Sequence, residues 1–194
     1  MGLPEKQTDQ RFTYGDYVTW PADERWELID GRAFAMTPSP GVAHQGASAE
    51  LTAILREFFK GTPCQAFAAP LDVRLPEANE KDESVETVVQ PDLLVVCDPK
   101  KLDEKGVRGA PDLVIEILSE STAARDLGEK LRLYEKHAVR CYIIADPWGK
   151  TLTVRYFEAE NKFGLPELFA GKTAMPVRIF EGLTLDLERV FGGV

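Results

Sequence analysis

The sequence predicts an α+β fold on three observations. Asp30-Gly31 stands between Trp26-Glu27-Leu28-Ile29 and Arg32-Ala33-Phe34-Ala35-Met36, and this dipeptide between apolar runs marks a two-residue β-hairpin. Ala47, Leu51, Ile54, Leu55 and Phe58 recur at helical spacing and stop before Gly61, a residue suited to the left-handed position that ends a helix. Two dense β segments, 88–96 and 112–118, are apolar and β-branched throughout, as central strands covered on both faces are.

The remaining elements follow in order. Residues 1–11 read as a flexible tail, and 12–194 as one domain without internal repeats. Thr13 is placed to cap a short helix over 14–18, with Asp16 reaching back from the third helical position; Pro21 closes it. Pro38-Ser39-Pro40-Gly41 is a loop. From Cys64 to Leu75, Phe67, Ala69, Leu71, Val73 and Leu75 alternate with more polar neighbours, which predicts one strand. Residues 76–86 are a charged loop or hairpin tip, and 98–111 a polar linker. Asp126 and Glu129 open a helix running to about Ala138, with Leu127, Leu131, Tyr134 and Ala138 as its buried stripe. A strand over 140–146 turns at Pro147-Trp148-Gly149 into another over 151–157. Short strands and a terminal helical turn complete the chain.

Composition narrows the function classes. Of 194 residues, 44% are hydrophobic, enough to bury a full core, yet no run has the ~18 continuous apolar residues of a membrane span. The amino-terminal residues are polar and lack an apolar signal core, so secretion is not expected. Cys64, Cys97 and Cys141 are odd in number and sit in apolar stretches; they read as reduced packing residues of a cytoplasmic protein. The formal charge of −9 argues against tight non-specific binding of nucleic acid through a basic surface. Glycine-rich phosphate loops, CxxC, HExxH and GxSxG are all missing, as are stacking aromatics interleaved with Arg and Lys.

Three residues break the pattern around them. Glu116 lies inside the most hydrophobic strand, between Ile115 and Ile117, where an unpaired carboxylate costs several kcal/mol unless a cation neutralises it. Asp92 opens the apolar run 93–97. Lys130 sits between apolar neighbours at the start of the following helix. Either carboxylate alone has an ordinary reading, as a strand-start residue or an arginine partner, and Lys130 alone can snorkel. Together they suit phosphodiester hydrolysis: two carboxylates hold Mg²⁺ or Mn²⁺ with waters left on the ion. The ion acidifies a water, and a lysine stabilises the charge growing on the phosphate.

The run Gln90-Pro91-Asp92-Leu93-Leu94-Val95-Val96, then Pro111-Asp112-Leu113-Val114-Ile115-Glu116-Ile117-Leu118-Ser119, then Asp126-Leu127-Gly128-Glu129-Lys130 and Tyr134, resembles the Uma-two family of the PD-(D/E)XK nuclease superfamily. Tyr17, Glu27-Leu28-Ile29-Asp30-Gly31, His44 and Tyr142-Ile143-Ile144-Ala145-Asp146-Pro147 fit the same pattern, so the resemblance spans about residues 12–157. It implies a restriction-endonuclease-like fold, a mixed central β-sheet flanked by helices. It also implies a Mg²⁺- or Mn²⁺-dependent endodeoxyribonuclease with DNA as substrate. Asp92 and Glu116 would be the metal ligands, and Asp92, Glu116 and Lys130 the catalytic set. The position two after Glu116 is Leu118 rather than lysine, and in this family the lysine function falls to Lys130.

Supporting positions are His44 on the first long helix, Glu50 on its flank, Glu27 at the hairpin and Gln90, which shares strand parity with Asp92. His137 reads as structural and Asp146 as a turn residue. The clusters Lys100, Lys101, Lys105, Arg108 and Arg125, Lys130, Arg132, Lys136, Arg140 are candidates for a local phosphate groove, although such charges are usually solvated faces. Two alternatives stand beside the nuclease: a non-catalytic interaction module on the same scaffold, and a metal-dependent hydrolase of another phosphate ester. A homodimer through an exposed sheet edge after residue 140 is expected by analogy.

Overall fold

The computed structural model describes residues 10–21, 23–36 and 41–193. The expected tail therefore lies almost wholly outside the described residues, as does most of the loop at 38–41. Helix α1 (Tyr14–Tyr17) is capped as its sequence predicts, the Asp16 carboxylate accepting the Thr13 N–H at 2.8 Å. Strands β1 (Trp26–Ile29) and β2 (Arg32–Ala35) pair antiparallel across Asp30 and Gly31. Both turn residues have positive φ, 46° and 75°, the mirror-image turn that a right-twisted hairpin favours. Helix α2 (Val42–Phe58) follows.

The segment expected to be one strand after Cys64 is two, β3 (Gln65–Ala68) and β4 (Val73–Arg74), in different sheets. Pro70 lies between them and has no N–H to give a ladder. Pro91 does the same to the next apolar run, dividing it into β5 (Val88–Val89) and β6 (Leu93–Val96), again in different sheets. The linker at 98–111 holds a small hairpin, β7 (Leu102–Asp103) and β8 (Gly106–Arg108). Strand β9 (Leu113–Ile117) leads through α3 (Ala123–Arg125), a π-helical turn (Asp126–Lys130) and α4 (Leu131–Lys136) to β10 (Cys141–Asp146). Then come β11 (Thr151–Tyr156), β12 (Glu167–Ala170), β13 (Ala174–Pro176), β14 (Thr184–Asp186) and α5 (Leu187–Phe191).

Two six-stranded sheets result, ordered β2-β1-β5-β4-β8-β7 and β12-β11-β10-β9-β6-β3. The second is the mixed central sheet: β9 and β10 run parallel, joined by the helical crossover, while β6 is antiparallel to β9. Strand alternation gives it two cores. Leu93, Val95, Leu113, Ile115 and Ile117 pack with Leu51 and Leu55 of α2 and with Leu187 and Phe191 of α5. Leu94, Val96 and Val114 face the other way, onto Leu133 and Tyr134 of α4 and onto Ile29, Val73 and Val89 of the first sheet. Glu27 has the parity of Ile29, and Glu116 that of Val114, so both belong to this second, inter-sheet layer.

Two further expectations are corrected. Cys64 and Cys97 form a disulfide rather than staying reduced, because each adjoins the cross-strand pair Gln65 and Val96 and so faces the other across β3 and β6. Only Cys141 matches the packing role, free and buried, so the redox argument for a cytoplasmic location falls away. The buried stripe of the crossover helix is also different: Leu127 is 55% exposed and Ala138, with φ 56°, is already past the helix. Tyr134 is buried as expected, and Asp126, Lys130 and Leu133 join it in place of Leu127 and Ala138, because the π turn adds a residue to one helical repeat and rotates the inward face. Among the described residues, no helix is long and apolar enough to cross a membrane.

The first sheet is closed by a buried arginine. Arg74 of β4 is 1% exposed and donates to Asp103 at 2.6 and 2.7 Å and to Asp82 at 2.5 Å. Hydrogen bonds from Arg74 hold the Asp103 carboxyl below the ordinary range. Burial alone would raise Asp82, but Lys105 and Arg74 hold it low. Hydrogen bonds to charged groups are worth about 1.5–3 kcal/mol and the two acids are part-exposed, so Arg74→Met should destabilise the fold by about 1–3 kcal/mol in urea titrations at neutral pH. Both acids bind protons less readily folded than unfolded, so their contribution is present above pH 3.8 and lost as pH falls through their lowered values. The gap between wild type and variant should therefore shrink below pH 3.8; a gap independent of pH would contradict this pairing.

Candidate active site

The acidic residues that sequence chemistry singled out meet in the layer between the sheets. In the β6–β9 ladder Leu93 faces Ile115. One residue further along each strand sets Asp92 opposite Glu116, on the same face of the sheet. Asp92 is fixed at the strand end by its own backbone and side chain: its carbonyl accepts the Ala69 N–H at 2.9 Å, and Oδ2 accepts the Ile117 N–H at 2.8 Å. His44 Nε2, from the first turn of α2, lies 3.3 Å from the same oxygen. Its Nδ1 is buried with no hydrogen-bond partner.

Glu116 is 2% exposed and uses one oxygen for two donors. Lys130 Nζ reaches Oε1 at 2.9 Å and the Tyr134 hydroxyl reaches it at 2.6 Å. Lys130 is equally close, 2.9 Å, to Glu27 Oε1, which also accepts the Gln90 backbone N–H at 2.9 Å. Arg125 comes within 3.7 Å of Glu27 Oε2 while covering the Phe34 ring. Asp126, one helical turn before Lys130, lies 3.8 Å from the ammonium, and its buried Oδ1 has no hydrogen-bond partner. Four residues apart, the two lie one above the other on a helical face, so both point inward from one short segment.

Electrostatics follow from this crowding. Burial raises Glu116 well above the usual carboxylate range; Lys130 opposes that shift, and the charges of Asp126, Asp92 and Glu27 reinforce it. Asp126 is raised for the same leading reason. Burial alone would lower Lys130, yet Glu116, Glu27 and Asp126 outweigh it and hold the ammonium well above its usual value. Burial and Glu116 push the Tyr134 phenol up, so it is a donor throughout the neutral range. Glu27, Glu116 and Asp126 thus crowd round Lys130, with Arg125 beside Glu27 and Asp92 near enough to act on Glu116.

That excess of acidic groups over cations fits a site for a hydrated divalent cation. Among the described residues no three His, Cys, Asp or Glu side chains cluster as a ready-made metal cage. Mg²⁺ asks for less, since it keeps several waters and is held by one or two carboxylates plus substrate phosphate. Asp92 and Glu116, opposite each other on one face, are the residues that would hold such an ion.

The supporting residues divide. His44 and Glu27 are in the cluster. The Gln90 side chain turns away, accepting from Arg25 at 2.6 Å and donating to Asp72 at 2.8 Å; only its backbone N–H touches the site. Glu50 is half-exposed on the far flank of α2, paired with Arg189 at 3.0 Å. Asp146 is a turn residue, accepting from Trp148 and Gly149. Much of the basic set is already engaged: Lys105 and Arg108 with Asp82, Lys136 with Asp30 and Glu77, Arg140 with Asp112. The sequence reading missed Asp126 and Tyr134 as members of the cluster. Their spacing of four on either side of Lys130 was a signal, but Tyr134 was read as an apolar member of the buried stripe and Asp126 as a residue that opens the helix.

A buried acid whose folded value is raised contributes most to stability below the ordinary pH 4.5 of Glu116, and that contribution is lost as pH rises through the folded value. Glu116→Gln keeps an oxygen for Lys130 and Tyr134 but removes the titration. Its melting temperature, without divalent ions, should rise relative to wild type between pH 5 and pH 9. A constant offset across that range would contradict the burial argument.

Comparison with known proteins places these observations in a lineage. A crystal structure described as a putative nuclease belonging to DUF820, from Anabaena variabilis, superposes with a TM-score of 0.73 at 20% identity, covering 93% of this chain and 98% of that one; this likeness is one of fold. An uncharacterized protein of Synechocystis, slr1290, is 29% identical over 121 residues, 61% of this chain. The match spans only 60% of that relative's length. The Uma2 family model, described as "Putative restriction endonuclease", matches residues 14–188. Together with the mixed sheet flanked by helices, that match settles the lineage: the chain belongs to the Uma2 family.

Proposed function

We propose that this protein is a nuclease that hydrolyses DNA phosphodiester bonds with the help of Mg²⁺ or Mn²⁺ held by Asp92 and Glu116. The observation that carries the reading is the facing of those two acids across β6 and β9, with the ammonium of Lys130 on Glu116. When bound, the cation would supply an acidified water and screen the negative charge of the phosphate. The residues of the chain do the positioning. The Ile117 N–H and His44 fix the Asp92 carboxylate. Tyr134 and Lys130 orient Glu116 through one oxygen, and Glu27 keeps Lys130 charged and in place. A permanent ammonium beside the reacting phosphate stabilises the charge that grows there as water attacks and the P–O bond breaks. The family's description as restriction endonucleases supports DNA as the substrate class.

Asp92→Ala and Glu116→Ala should each lower Mg²⁺-dependent plasmid cleavage by at least about 10²–10³-fold with an unchanged circular dichroism spectrum; wild-type cleavage by both variants would refute the mechanism. Glu50→Ala, distant from the cluster, should cleave normally.

One observation favours a second reading, a non-catalytic module on the nuclease scaffold: Lys130 is already paired with Glu116 and Glu27, and much of the neighbouring basic set is paired as well. Ligand that binds only the folded state stabilises it by about 2.7 kcal/mol at one hundred times its dissociation constant. Millimolar Mn²⁺ should raise the melting temperature of the wild type and not of Asp92→Ala. Equal curves with and without metal would favour the non-catalytic module.

A further inference from the structure

The cation reading leaves a difficulty, because Glu116 cannot serve Lys130 and a divalent ion equally. Lys130 is fully enclosed and cannot retreat to water. Two of its carboxylate neighbours are bonded at 2.9 Å, while the third, Asp126, stands at 3.8 Å with a buried oxygen that nothing else uses. An acceptor left unsatisfied in a buried polar cluster is costly, and here it lies within about an ångström of hydrogen-bond reach of an ammonium with three donors. Asp126 and Lys130, four residues apart on one face, span a π-helical turn, a local departure from α-helix of a kind found often at functional sites.

We propose that Asp126 is a positioning residue for Lys130: it receives the ammonium when a divalent cation takes its share of Glu116. Glu27 remains bonded throughout, so Lys130 pivots between Glu116 and Asp126 instead of being expelled. The displaced ammonium stays charged, buried and beside the cation, where an incoming phosphate would meet it. This inference rests on the cation reading above and adds to it a role for a carboxylate that binds neither cation nor substrate.

A double-mutant cycle on the full chain, with Mn²⁺ affinity measured by calorimetry, tests it. If Asp126 acts through Lys130, Asp126→Asn weakens Mn²⁺ binding by about 5–10-fold in the wild-type background and has little effect in Lys130→Gln. Equal losses in both backgrounds would overturn the proposal, because Asp126 would then act on the cation directly as a nearby charge. Wild-type protein that takes up no Mn²⁺ would overturn the cation reading itself, and this inference with it. Since Lys130→Gln removes a buried charge and can fail to fold, a second measurement uses intact protein. With ¹³C-labelled lysine, the Lys130 ε-carbon resonance should move as diamagnetic Mg²⁺ saturates the wild type. A resonance that stays fixed at saturation would overturn the proposal.

Discussion

A carboxyl group on a central strand, buried in the layer that holds Val114, Tyr142 and Ile144, needs partners close by, and three elements meet around Glu116 to supply them. The helical crossover delivers Lys130 to it, Tyr134 adds a hydroxyl to the same oxygen, and the first sheet contributes Glu27 to keep the lysine charged. Those three partners come from separate elements, so the pairing also fixes how the two sheets and the crossover pack. Isolated, such a charge would cost several kcal/mol. Surrounded by other acids, it becomes part of a cluster with more negative than positive charge.

That imbalance is what separates the cluster from an ordinary buried ion pair. A purely structural pair would need one acid for Lys130; here Glu27, Glu116 and Asp126 all lie within 4 Å of its nitrogen. Asp92 sits next to them across the ladder and is held by backbone and by His44 instead of by a cation of its own. The chain as a whole is acidic as well, with a formal charge of −9. Long-range attraction of a nucleic acid is weak for such a surface, and binding to DNA would depend on what happens at the cluster itself.

Local signals in the sequence were reliable wherever a few residues decide the backbone. Asp30-Gly31 gave the hairpin, Thr13 with Asp16 the cap, and the alternation around Glu116 its face. Long-range consequences were not legible. The prolines at 70 and 91 do more than interrupt strands, since each marks a crossing from one sheet to the other, and nothing in a period-two pattern distinguishes those outcomes. The Cys64–Cys97 bond depends on the β3–β6 register, which no segment encodes alone. The π turn shifted the buried stripe off Leu127 and Ala138 and onto Asp126 and Lys130. A single extra residue in a turn leaves no mark on a helical wheel. Asp92, Glu116 and Lys130 were visible because each offends its surroundings, whereas Tyr134 passed as an ordinary core aromatic.

The central claim is that Asp92 and Glu116 share a divalent ion. Crystals grown with Mn²⁺ and measured at the manganese absorption edge test it most directly. An anomalous peak within coordination distance of both carboxylates, about 2.0–2.5 Å, is the predicted result. A peak elsewhere, or none while Lys130 keeps its bond to Glu116 at saturating Mn²⁺, would contradict it.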